Sequence, residues 1–365
     1  MGSIGIAILI ILVLSSFYFV QRPTETIRIG VIFPLSGNAA YYGLQGQNGI
    51  ELAKEEIIIE YPNLNIQVLY EDSQYIPKEG VNAYTKLKNM NEIDAIIPMA
   101  SHVSIALRGL ANQDNVIEMA VASTSGAYSM PDDFSFRTIP SVGVQTIKIH
   151  EFLKTNNYQN IAMLTVNNDF GKGGKDALKN QFKDGSIKIV SEQDFMGDAT
   201  DFRTELTKIK ESDAEIIYLV GTAANYVILL SQAKKLNIQK QFISISSTED
   251  PTLLNNIEVA EGIIYTYYDI DTINNPVAKK FVDSYIAKYN ESPDGYAAEG
   301  YVALSLLALA YNECGEDNSC AKNYLENIKN YDSVFGPLTF DGNGDVDYDF
   351  ILKTVKDGRF VPYLD

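Results

Sequence analysis

"TIRIGVIFPLSGNAAYYGLQGQNGIELAKEEIIIEY", residues 26–61, decides the fold. Its first residues form a compact Ile/Val-rich run, the pattern of a strand in a parallel sheet covered on both faces. Pro34 ends the run, Ser36-Gly37-Asn38 makes a turn, and two tyrosines lead into a glycine-punctuated segment with helical spacing. A strand feeding a helix through a tight turn is a β-α unit. What that turn holds, whether a phosphate, a reacting substrate or a molecule that leaves unchanged, is the functional question.

The same rhythm continues along the chain. "NIQVLYED", "DAIIPM" and "VIEMAVAS" read as further strands, with "PKEGVNAYTKLKNM" and "HVSIALRGLANQ" as helices between them. It restarts at "NIAMLTVN" and runs through "GKGGKDALKNQF", "IKIVSEQD", "DFRTELTKIK", "AEIIYLVG", "AANYVILLSQAKKL", "QFISIS" and "EGIIYTYYD". Two similar α/β lobes follow, each with a parallel central sheet. Helices are expected at about 276–290 and 295–313, and "FGPLTFDGNGDVDYDFILKTVKDGRFVPY" alternates like a terminal β-hairpin.

The chain has 365 residues, 46% of them hydrophobic, enough for a large core divided between two lobes. A net charge of −18 leaves no basic stripe to track a phosphate backbone, which argues against nucleic acid and against adhesion to anionic lipid. "MGSIGIAILIILVLSSFYFV", residues 1–20, contains no charged side chain and is close to the minimum length of a membrane-crossing helix. It reads as an export signal or a retained N-terminal anchor, and places the rest of the chain outside the cytoplasm. In that compartment the two cysteines, Cys314 and Cys320, read as a disulfide closing a short loop between two helices.

Catalytic and cofactor chemistry finds little material. Two histidines, His102 and His150, leave almost nothing for a His-based metal site or a Ser-His-Asp triad. Gly43, Gly46 and Gly49 follow a strand and open a helix, but their Gly-x-x-Gly-x-x-Gly spacing is not the dinucleotide fingerprint. "NDFGKGGKDAL" lacks the Gly-Lys-Ser/Thr end of a P-loop. Asp341, Asn343, Asp345, Asp347 and Asp349 alternate like calcium ligands, yet Val346 and Leu352 stand where such a loop needs Gly and Glu. The reading is a solvated acidic strand edge, with no metal, cofactor or enzyme activity expected.

Two strand ends expose small hydroxyl residues. "IIPMASHVSIALRGL" turns at Ala100 and starts a helix at Ser101, where free N–H groups and the helix dipole favour a carboxylate. "MAVASTSGAYS" repeats the device with Ala122, Ser123 and Thr124. Beside the Ser36-Gly37 turn, these converge on the crevice where open α/β sheets bind ligands. For each hydroxyl taken alone, plain helix capping competes with ligand binding.

Together with "YEDSQYIPKEGVNAYTKL", "AMLTVNNDFGKGGKDAL", "AEIIYLVG" and "FGPLTFDGNGDV", these segments resemble the branched-chain amino-acid binding proteins of ABC importers, over residues 27–361. The resemblance implies a type I periplasmic-binding-protein fold: two Rossmann-like lobes joined by a three-crossing hinge that close on a small ligand. It divides the chain into a signal or anchor (1–23), a first lobe (24–140 with 269–338) and a second lobe (141–268 with 339–365). It also implies delivery to the permease of an ABC importer. The alternative is an extracellular sensing domain for an amino acid or amide, working with a separate signalling partner.

By the same resemblance, Ser101, Ala122 and Thr124 would hold a carboxylate, with Ser123 a candidate by its place at the same strand end, and Tyr42 would stand in the cleft. Phe170 and Thr222 occupy second-lobe positions that are often Tyr in that family. The amino-acid-binding members carry a Glu for the ligand's ammonium at the strand end matching "FISISSTED". Here that place is Ser246, with Glu249 and Asp250 further on. Either Glu249 or Asp250 reaches in, or the ligand is not an α-amino acid, because an unpaired buried ammonium is costly. Helix capping at Pro251 is the competing role for both acids. The 23 tyrosines, with no tryptophan, suit aromatic walls that carry hydroxyl handles.

Overall fold

The structure, a computed structural model, describes residues 26–364 apart from 184 and 269. The apolar stretch 1–20 lies outside the described residues. Among the described residues, no helix is long and apolar enough to cross a membrane.

The opening strand, β1 (Thr26–Phe33), pairs in parallel with β2 (Asn65–Asp72) and β3 (Ala95–Pro98). β4 (Ile117–Ala120) and β5 (Ser135–Arg137) extend the sheet in the order β2-β1-β3-β4-β5. β1 feeds both faces of this sheet, as its unbroken apolar run requires. Ile27, Ile29, Val31 and Phe33 join the core under helices α1 (Ala40–Glu60) and α11 (Gly295–Cys314), while Ile32 joins the core under α2 (Pro77–Asn91) and α3 (Ser101–Gln113).

The three glycines of α1 are packing residues. A Cβ at Gly43 would stand 2.0 Å from the Pro34 carbonyl oxygen, and one at Gly49 would stand 1.9 Å from that of Ala297. Gly300 meets the Gly46 carbonyl oxygen in the same way, so α1 and α11 touch backbone to backbone. No phosphate is needed to explain the spacing.

The second sheet has the order β14-β13-β10-β9-β8-β6-β7. Its parallel part comprises β6 (Asn160–Val166), β7 (Lys188–Phe195), β8 (Ile216–Val220), β9 (Gln241–Ser244) and β10 (Ile264–Tyr268). Around it lie α4 (Val142–Thr155), α5 (Asp169–Gln181), α6 (Arg203–Glu211), α7 (Ala223–Lys235) and the one-turn helices α8 (Pro251–Leu254) and α9 (Ile257–Ala260). The chain then returns to the first lobe for α10 (Pro276–Tyr289), α11 and α12 (Asn318–Glu326), whose apolar faces share that lobe's core. It crosses a last time to add β13 (Phe350–Lys356) and β14 (Arg359–Pro362) antiparallel to the second sheet. The fold is therefore two α/β lobes joined by three crossings.

Two expectations need correction. The terminal hairpin is only β13–β14, because β12 (Gly336–Leu338) pairs instead with β11 (Tyr331–Ser333). The acidic run 341–349 is not one strand face. Asp341 turns the chain by accepting the N–H groups of Asn343 and Asp345, and Asp345 reaches inward to the buried Arg137, Nη2 to Oδ2 2.7 Å. Among the described residues, no acidic or His/Cys cluster could hold a metal. Cys314 and Cys320 are joined, fastening the end of α11 to α12 across a Cα–Cα distance of 5.6 Å.

Candidate functional site

The carboxyl ends of the two sheets face each other across a small cavity. From the first lobe, Met99, Ala100, Ala122 and Thr124 come from the ends of β3 and β4, Tyr42 from α1, and Tyr75 from the turn after β2. Phe170, Thr222, Ser246 and Ser247 come from the second lobe, Ile139 and Tyr268 from the crossings, and Tyr296 from the first turn of α11. Convergence at sheet carboxyl ends is where an open α/β architecture places ligands.

Local sequence explains the placements. Asn168 caps α5 by accepting Gly171 N–H at 3.0 Å, which sets Phe170 in the first turn of that helix. Thr222 and Asn225 form a reciprocal capping box at the start of α7. Ala100 and Ala122 have φ of 82° and 51°, left-handed values that alanine adopts at a cost, on the two turns entering the cavity. The Ala122 turn is held by Glu299, whose Oε2 accepts Ala122 N–H at 2.6 Å and whose Oε1 accepts the Tyr268 hydroxyl. Burial pushes the Glu299 carboxyl up to about 7 against those hydrogen bonds.

Tyr42 spans the cleft. Its hydroxyl accepts the Ala223 N–H at 3.0 Å and donates to the Ser247 carbonyl at 3.3 Å, both in the second lobe. Its ring lies 4.8 Å from that of Tyr296. The lobes are thus shut against one another. His102 serves the wall: Nε2 lies 2.9 Å from the Tyr75 carbonyl, and the two rings meet edge to face at 4.4 Å. Burial holds the imidazole below its ordinary pKa, hence neutral.

Of the residues singled out in the sequence, Tyr42, Ala122, Thr124, Phe170, Thr222 and Ser246 line the cavity. Ser101 and Ser123 lie just behind it. The Ser101 hydroxyl accepts Ser125 N–H at 3.1 Å, and the Ser123 carbonyl accepts Arg137 Nη1 at 2.9 Å, so both shape the turn that presents Thr124. The Thr124 hydroxyl itself is buried with no partner. Glu249 does not enter. Its carboxylate is held by Lys353 Nζ at 2.6 Å and the Tyr265 hydroxyl at 2.8 Å. Asp250 caps α8 through Thr252 N–H at 2.7 Å. Tyr75, Tyr268, Tyr296 and Glu299 were not anticipated individually. The abundance of tyrosine was the only sequence signal for the first three.

A periplasmic binding protein family model matches residues 26–359. The chain belongs to this family. Among its relatives, a Leu/Ile/Val-binding protein of Rhizobium johnstonii is 26% identical, with 95% of this chain and 96% of that protein covered. The leucine-binding protein of Thermotoga maritima superposes with a TM-score of 0.86 at 24% identity, over 93% and 98% of the two chains. A branched-chain amino-acid transporter substrate-binding protein of Streptococcus pneumoniae, solved with isoleucine, gives 0.84 at 25% identity over 92% and 98%. As a periplasmic binding protein the chain is extracytoplasmic, and the cavity occupies the cleft between its lobes.

Proposed function

We propose that this protein captures a small carboxylate-bearing solute, an amino acid or a relative of one, between its lobes and delivers it to the permease of an ABC importer. One observation carries the reading: a cavity at the carboxyl ends of both sheets, walled by aromatic rings and closed by Tyr42 across the cleft. The Thr124 hydroxyl and the start of α3 offer hydrogen-bond donors to an anion. Residues 1–20 supply export or anchoring at the outer face of the membrane.

A thermal-shift panel of amino acids, small amides and short carboxylates tests this, since a ligand bound only by the folded state raises Tm. At least one compound is expected to shift it, and Thr124→Ala to weaken that compound's binding by about 1–3 kcal/mol, as for a hydrogen bond to a charged group. A panel that leaves Tm unmoved would overturn the reading.

A further inference from the structure

We propose that the cavity takes a small monocarboxylate with an apolar body and no ammonium group, and so discriminates against α-amino acids. This deepens the capture reading and rests on it. None of the residues lining the cavity carries a charge. The acids on the elements that build the walls are turned elsewhere. Glu249 is paired with Lys353, and Asp250 caps α8. Glu299 accepts Ala122 N–H and the Tyr268 hydroxyl, while Asp169, next to Phe170, faces an outer groove that it shares with Lys172. Asp294 caps α11 through Ala297 N–H at 2.9 Å, and its carboxyl is also engaged by the Tyr41 hydroxyl, with neither residue in the cavity lining.

An ammonium shut inside would thus lose its water without gaining a carboxylate, and a desolvated unpaired charge is strongly disfavoured. A carboxylate is treated differently. Thr124, whose buried hydroxyl has no partner in the protein, stands in the cavity wall together with Ala100 at the N-terminus of the 13-residue helix α3. The remaining walls suit an apolar body, being lined by Met99, Ile139 and Phe170 together with Tyr42, Tyr75 and Tyr268. Ser246 and Ser247 add neutral hydroxyls on the side opposite Thr124's lobe, where a polar ligand could be recognised but a cation not neutralised.

Titration calorimetry of the full chain at pH 7.5 against three probes of one carbon skeleton tests this: 4-methylpentanoate, leucine and 3-methylbutylamine. The expected result is binding of 4-methylpentanoate at least tenfold tighter than leucine, with no binding of the amine. Ser246→Glu, which places a carboxylate in the wall, is expected to reverse the preference toward leucine. Leucine binding as tightly as 4-methylpentanoate to the unmodified protein overturns the inference, leaves capture standing and brings Asp294 to the ammonium. Binding of the amine alone overturns it too. If neither these probes nor the wider panel bind, the inference and the capture reading fall together.

Discussion

Glu299 is a fully buried carboxyl on which the Ala122 turn, Tyr268 and Thr138 all depend. An unfolded Glu ionises near roughly 4.3, whereas burial raises this one to about 7. Between those values the folded state holds more protons than the unfolded state. Its contribution is therefore intact at low pH, diminishes as pH rises from about 4 to 7, and levels off above. Glu299→Gln mimics the protonated acid and does not titrate. It is expected to match the parent near pH 4 and to exceed it by about 3 kcal/mol at pH 8, read from urea unfolding at both values. A difference independent of pH would contradict this. At this scale the sequence was only partly legible. Thr124 and Tyr42 announced themselves by position, but Glu299 sits inside an apolar helix pattern, and only its spatial neighbours reveal what it holds.

The turn Ser123–Ser125 shows the same limit one level up. Arg137, on β5, donates from Nη1 to the carbonyls of Ser123 and Ser125 at 2.9 and 3.0 Å, and its charge is met by Asp345. A segment that reads as an acidic edge thereby fixes the ligand turn from the far side. Asp345→Asn keeps the shape but leaves Arg137 buried without its counter-charge, a change expected to cost about 3 kcal/mol of stability, measured by urea unfolding; an unchanged midpoint would contradict it. The strong Val/Ile strands and amphipathic helices were legible because their periods are local. β5 was not, since its three residues include Ser135 and Arg137, and their burial is decided by partners far along the chain. The α1 glycines likewise excluded a nucleotide by spacing, while the α11 residues that two of them pack against, Gly300 for Gly46 and Ala297 for Gly49, lie about 250 residues along the chain.

Across the whole molecule, three crossings join lobes whose cores are separate, and the polar contacts of Tyr42 span the gap between them. Such a design closes by rotation at the crossings, with ligand contacts from both lobes stabilising the shut form. Two lobes and their order were legible from the repeated β-α rhythm; the closed pose was not, because it depends on contacts between distant residues. The most direct test is small-angle X-ray scattering of the full chain, with and without saturating 4-methylpentanoate. The account predicts a ligand-free profile more open than this structure and a fall in the radius of gyration on addition, toward the value calculated for the shut form. Binding that leaves the radius unchanged would contradict capture by closure.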